Sequence, residues 1–171
     1  HGFALQRVNR VDTHGGALQV QFSLVVVPSS PIWNKINSRH WPSVQDFTHL
    51  VQSRRKQFRD LLLAAKSAGT VAGYTAPAKA TVIANYCGLD ATDLAFIVDD
   101  SKLKQGKWLP LTTPPGIPIV SSQYLDEHPV DTLVLWAWNQ MELADKALTR
   151  GWCRQVLVPM PEPRFIKSPA D

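Results

Sequence analysis

The run Gly73-Tyr74-Thr75-Ala76-Pro77-Ala78-Lys79 has the residue types of a loop that receives an anion. Small residues at Gly73, Ala76 and Ala78 let a backbone approach a ligand closely. The free amides at the start of a following helix point a partial positive charge at a phosphate, and Lys79 adds a full cation beside them. About 20 residues past the turn stands Asp99, where an acid in a dinucleotide-binding unit holds a ribose hydroxyl. The same small residues equally suit tight packing of a helix on a strand, and Asp99-Asp100 equally suits a turn cap. The loop carries one glycine where the dinucleotide fingerprint has three, and the P-loop pattern is absent.

Two other groupings could join it. Lys102, Lys104 and Lys107 surround Gln105 and Gly106 just after the Asp99 run, and offer charge either to an anionic ligand or to solvent. Trp136-Ala137-Trp138-Asn139, with Glu142 beyond, lies where a strand gives way to a helix. Asn139 there is a ligand contact or a helix N-cap. His14, in Thr13-His14-Gly15-Gly16, has no nucleophile or carboxylate paired with it, so a structural turn is a plainer reading than a general base. No Ser-His-Asp or Cys-His arrangement exists, and no catalytic residue is assigned in this chain. Cys87 and Cys153 sit in no CxxC pair or Cys/His cluster, so no metal site is expected. They read as core filler in a reduced, cytoplasmic protein.

The elements that must position these residues are marked by period. Residues 3–8 and 18–25 suggest strands, the second alternating apolar and polar, with Gly15-Gly16 as the hairpin turn between them. Pro28-Ser29-Ser30-Pro31-Ile32-Trp33 breaks regular structure. Across residues 43–68 the apolar positions Val44, Phe47, Leu50, Val51, Phe58, Leu61, Leu62 and Ala65 fall at three- and four-residue steps. That spacing predicts one long amphipathic helix, its basic residues outward and Gly69 ending it. Strands are then expected at 70–74, 94–98, 117–120, 132–138 and 156–158. Helices are expected at 78–86 and from an Asn139 cap through Leu148 to Gly151, with a Pro-rich tail after the last strand. Continuous apolar strands between helices imply a parallel sheet covered on both faces. The expected fold is therefore α/β, a Rossmann-like mostly parallel sheet flanked by helices, preceded by a β-hairpin and a long helix. It is read as one domain over residues 1–171, with the hairpin in 1–27, the helix in 43–69 and a βαβ core in 70–160. Ligands of such sheets bind outside the carboxyl ends of the strands.

Composition narrows the function classes. With 44% hydrophobic and 19% charged residues, the 171-residue chain has the makeup of a globular domain. Its net charge of +4 is spread rather than gathered, the densest run being Arg54-Arg55-Lys56. No nucleic-acid signature accompanies it and no apolar run is long enough for a bilayer, so neither nucleic acid nor membrane is an expected partner.

Taken in order, these pieces resemble the C-terminal domain of the S-adenosylmethionine-dependent C-methyltransferases that act on nucleotide-linked sugars. The resemblance is carried by THGGALQV at 13–20, GYTAPAKATVIANYCGL at 73–89, DLAFIVDDSKLKQGKWLP at 93–110 and LVLWAWNQMEL at 133–143, with GIPIV at 116–120. It implies a substrate-binding and assembly domain for a nucleotide-linked sugar or another small-molecule acceptor. It also implies that zinc ligands, S-adenosylmethionine and the catalytic residues belong to upstream parts of a longer protein. No cofactor is expected in this chain, which begins at the last strand of the methyltransferase domain and is inactive alone. Gly73, Tyr74, Ala76, Ala78, Lys79, Asn85, Asp99, Lys104, Gln105, Gly106 and Asn139 carry over as the substrate-binding set. The sequence departs from the family where Ala80 and Thr75 replace glycines and where Pro115-Gly116 replaces a Thr-His pair, changes expected to crowd the loop. An NAD(P)-binding oxidoreductase domain and a non-catalytic dimerisation domain, with homo-oligomer formation, are the alternative readings.

Overall fold

A computed structural model describes residues 3–11, 17–24 and 43–167, and its chain divides into two units, His1–Thr48 and His49–Asp171. The expected turn around His14 and the break at 28–33 lie outside the described residues.

In the first unit, β1 (Ala4–Val11) and β2 (Ala17–Ser23) form the expected antiparallel hairpin, with Val8 opposite Val20. Alternation sorts the residues of β2. Leu18, Val20 and Phe22 share one exposed face, while Gln19 on the other face accepts a 3.1 Å hydrogen bond from Asn9. A helix, α1 (Val44–Ala68), starts in this unit and runs into the second. Its start is a reciprocal cap: the Ser43 hydroxyl accepts from the Asp46 amide at 3.0 Å, and the Asp46 carboxylate accepts from the Ser43 amide at 3.2 Å.

The second unit is built on a sheet of seven strands. In chain order its elements are β3 (Val71–Tyr74), α2 (Ala78–Cys87), β4 (Ile97–Val98), β5 (Trp108–Leu109), β6 (Ile117–Val120), α3 (Gln123–Glu127), β7 (Val130–Leu135), α4 (Glu142–Thr149), β8 (Cys153–Val158) and β9 (Arg164–Lys167). Across the sheet the order is β5-β6-β4-β3-β7-β8-β9. The five central strands are parallel, and β5 and β9 are antiparallel edges. The chain winds outward from β3 to β4 and β6, then crosses back to β7 and β8. The order therefore reverses between β3 and β7, and this is the topological switch point of the sheet.

β3 and β4 are buried on both sides throughout and β7 nearly so, which is why they read as apolar runs. On one face Val71, Ile97, Ile119, Val134 and Leu157 pack with Phe58, Leu62 and Ala65 of α1 and with Ala80 and Ala84 of α2. On the other, Ala72, Tyr74, Val98, Leu133, Leu135 and Val156 pack with Leu125 of α3 and with Ala144 and Ala147 of α4. The result is a three-layer α/β/α unit.

Several expected boundaries move. The run 94–98 gives only two ladder residues, although the Ala95 amide still reaches Val71 O and Phe96 O still accepts from Gly73 N. The strand expected at 132–138 is Val130–Leu135, because after Trp136, which still donates its amide to Tyr74 O, the backbone leaves the ladder. The tail contains β9, which pairs with β8 after the connection over residues 159–163. In α1, Val44, Phe47 and Leu50 are exposed, so the core-facing stripe begins only at Phe58.

Nor do all its basic residues face outward. Lys66 Nζ lies 2.7 Å and Arg59 Nη1 3.4 Å from the carboxylate of Asp93, which is 6% exposed and also accepts from the Asp90 amide. Asp93 thus fastens α1 to the segment entering β4. Replacing Asp93 by alanine leaves two half-buried cations and an amide unmatched. It is expected to lower the unfolding free energy by about 2–3 kcal/mol, read as a shift of the urea midpoint at unchanged slope.

Candidate functional site

The carboxyl ends of β3, β4 and β7 lie side by side, and the three loops singled out from sequence leave from them. After Tyr74 the chain turns at Thr75, whose φ is 68°, and enters α2 behind Pro77. A β-branched residue is rarely found in that left-handed region, and strain of this kind gathers at functional sites. The Ala80 amide bonds Pro77 O at 2.8 Å, so the first turn of α2 points its remaining amides out of the carboxyl edge of the sheet.

Lys79 reaches from that first turn to the β7 side. Its ammonium donates to Asn139 Oδ1 and lies 4.0 Å from the centre of the Trp138 ring. Both partners are neutral. Among the described residues no carboxylate lies within salt-bridge distance of Lys79, and burial pulls its pKa below the ordinary lysine value. An unmatched, partly desolvated cation at a switch point is equipped to accept an anion.

The second sequence cluster does something else. Asp99 is 8% exposed, and its carboxylate accepts from the Ala76 amide at 2.7 Å, the Ser101 amide at 2.9 Å and Lys104 Nζ at 2.9 Å. Burial raises its pKa, but the bonds from Lys104, Ala76 and Ser101 outweigh that and hold the carboxyl below its ordinary range. Gln105 donates to the Asp99 carbonyl, and the Gly106 amide bonds Ile119 O, with φ at 73°. The Lys104-Gln105-Gly106 turn therefore closes on Asp99. Asn85 lies on α2 but faces another loop, donating to Pro110 O at 3.0 Å and accepting from the Thr112 amide at 2.6 Å.

The remaining sequence-chosen residues divide between packing and exposure. Ala78 is exposed at the start of α2 and Ala76 is buried. Gly73 is small for an internal reason: a Cβ there would stand 2.8 Å from both Ile97 Cγ1 and Trp136 Nε1. Its missing side chain admits Trp136, which packs edge-on to Phe58 at 5.9 Å, and not a ligand. Gly73→Ala is expected to cost about 2 kcal/mol by overpacking, measured as a lower thermal midpoint. Tyr74 points into the opposite core, 5.8 Å from the Trp152 ring. Burial, with Asp100 adding to it against the pull of Arg150, pushes its phenol up to about 12. It stays protonated at neutral pH and is no base.

Asn139 does not cap its helix. α4 begins at Glu142 behind Met141, and the Asn139 side chain is taken up by Lys79. Three buried polar atoms have no partner among the described residues: Tyr74 Oη, Thr75 Oγ1 and Trp136 Nε1. All three sit at the carboxyl ends of β3 and β7, where buried polar groups without partners are unusual.

Residues 34–161 match the family described as the C-methyltransferase C-terminal domain. The chain belongs to that family. A similar protein is the C-methyltransferase NovU of Streptomyces niveus, 31% identical over 183 aligned residues that cover 98% of this chain and 42% of NovU. The C-methyltransferase domain thus spans less than half the length of this relative.

The departures of this C-methyltransferase domain from its family can now be placed. Ala80 is wholly buried against α1 and the sheet, so its methyl group fills core and does not crowd the loop. Thr75 occupies the left-handed position, which explains why a glycine suits it. Gly116 is required by the backbone, since a Cβ there would meet Leu109 O at 2.2 Å. The sequence places Trp138 in a grouping near the loop but gives no reason to include it in the substrate-binding set. Its only signal is an aromatic residue near a strand end, and nothing in the sequence ties it to Lys79, which lies far off in the chain.

Proposed function

We propose that the C-methyltransferase domain binds the acceptor of a longer C-methyltransferase, a nucleotide-linked sugar or a related phosphorylated small molecule, at the switch point between β3 and β7. The observation that carries this reading is the contrast between two lysines. Lys104 is matched by Asp99, whereas among the described residues Lys79 meets an amide oxygen and an indole face and no carboxylate, which leaves its charge for a ligand. The pyrophosphate of the acceptor meets Lys79 and the outward amides of α2, a charge-assisted arrangement. Asn139 is placed to exchange its bond with Lys79 for one to a sugar or base hydroxyl. Fixing the acceptor in this way contributes positioning, which in general supplies several kcal/mol of a reaction barrier.

When bound, S-adenosylmethionine supplies an electrophilic methyl group for a carbon acidified by a neighbouring carbonyl. The residues described here do not fit that cofactor, because Asp99, the acid placed to hold a ribose, is committed to Ala76, Ser101 and Lys104. The methyl donor is therefore assigned to parts of the enzyme beyond these residues. The same commitment counts against a nicotinamide dinucleotide. Among the described residues no group of three or more His, Cys, Asp or Glu is arranged to hold a metal, and no helix is long and apolar enough to cross a membrane. The proposed setting is the cytoplasm, with Cys87 and Cys153 held as buried thiols.

Calorimetric titration of this chain with thymidine diphosphate, NAD and S-adenosylmethionine tests the reading. Binding of the diphosphate alone is expected. Binding of NAD in its place would overturn the acceptor-binding reading of this loop.

A further inference from the structure

We propose that Trp138 is a positioning residue for the acceptor phosphate, acting by holding the Lys79 ammonium on its indole face at the switch point. This deepens the acceptor-binding reading and rests on it. Trp138 is half-buried and packs against the core cluster that includes Tyr74, Phe96 and Trp152, which restrains its ring. It lies three residues past the end of β7, whereas Lys79 stands on α2 across the switch point. The 4.0 Å separation of Nζ and ring centre is well inside the range of about 6 Å in which a ring attracts a cation.

The chemistry of the partner explains why an indole stands here rather than a carboxylate. An acid would order Lys79 equally well, but it would cancel the charge and repel a phosphate. An aromatic face orders the ammonium while leaving its net charge intact, and it leaves N–H donors free for phosphate oxygens. Asn139 Oδ1 orders the same group in the same neutral manner. A flexible four-carbon lysine stem is thus held ready before ligand arrives, and the ordering entropy is spent in folding instead of in binding.

The test uses this chain with uniform lysine labelling, inorganic pyrophosphate as probe, and the variants Trp138→Leu and Trp138→Phe. In the wild type the Lys79 Hε resonances are expected upfield of the other lysines by ring-current shielding, and Trp138→Leu is expected to return them to the common position. Trp138→Leu is expected to weaken pyrophosphate about tenfold, with Trp138→Phe keeping most of the affinity. Unshielded Lys79 resonances in the folded wild type would overturn the proposal. So would equal affinity in Trp138→Leu, or equal losses in Trp138→Phe and Trp138→Leu. A shielded Lys79 in a wild type that binds neither pyrophosphate nor thymidine diphosphate would leave the ordering of the lysine standing and remove the acceptor-binding reading with it.

Discussion

Lys79→Met is expected to reduce the affinity of the domain for thymidine diphosphate by about 30- to 100-fold, with its thermal midpoint almost unchanged. The size follows from the kind of bond removed. Hydrogen bonds to charged groups are worth about 1.5–3 kcal/mol, and each 1.4 kcal/mol is a factor of ten in affinity. The upper part of that range applies because Lys79 is partly desolvated and, among the described residues, has no carboxylate to dilute its charge. Stability is spared because methionine keeps the length of the stem, and what it loses is a bond to the partly exposed amide of Asn139 and the contact of the ammonium with the half-buried Trp138 ring. Calorimetry gives the affinity, and a thermal melt of the same sample shows that the fold is intact. Lys104→Met is the informative contrast. Its charge is already matched by Asp99 at 2.9 Å, so the ligand loses little and the loop loses an ion pair.

Asp99→Ala is expected to act in the opposite way, on the fold before the ligand. The substitution strips the acceptor from the Ala76 and Ser101 amides and leaves Lys104 without its anion. Buried donors left unpaired cost about 1–3 kcal/mol apiece. With relaxation and water entry the sum is expected near 3 kcal/mol, a fall in thermal midpoint of roughly 6–12 °C for a chain of this size. The amides of Ala76 and Ser101 should lose hydrogen-exchange protection first.

The same carboxylate gives a pH dependence of definite sign. Its native pKa lies below the ordinary 3.8, held down by Lys104 and the two amides against the opposing effect of burial. Its stabilising contribution is therefore fully present above that value and is lost as pH falls through the lower native one. Stability curves of the wild type should drop more steeply below about pH 4 than those of Asp99→Asn, which has no charge to lose there.

These two residues also show how far the sequence is legible. α1, α2, β3 and β7 can be read because each repeats one physical signal over many residues. That signal is apolar positions at helical spacing, or a run buried on both sheet faces. β5 and β9 cannot, being two and four residues long at sheet edges with little apolar pattern of their own. The site is harder still, because a residue type states a capability and its neighbours decide the use. Asp99 ends a strand as a ribose-binding acid does, yet the turn at Ala76 and Ser101 exposes two amides that need an acceptor, and the carboxylate goes to them. Asn139 has the chemistry of a helix cap, but Lys79 competes for its oxygen and α4 starts three residues later. Gly73 has the size to admit a ligand and is filled by Trp136. The place of Lys79 at the head of α2 is legible in the loop and helix pattern, while its pairing with Trp138 depends on β3 and β7 being adjacent, a fact of topology that no local spacing encodes.

An amide-shift titration of this chain by NMR, with thymidine diphosphate added to saturation, tests most directly whether the switch point receives the acceptor. The largest shifts should fall on Thr75, Ala78, Lys79, Trp138 and Asn139, with the residues of α3 silent and NAD and S-adenosylmethionine producing no comparable response. Shifts centred elsewhere, or a map that responds to S-adenosylmethionine at those five residues, would contradict an acceptor site between β3 and β7.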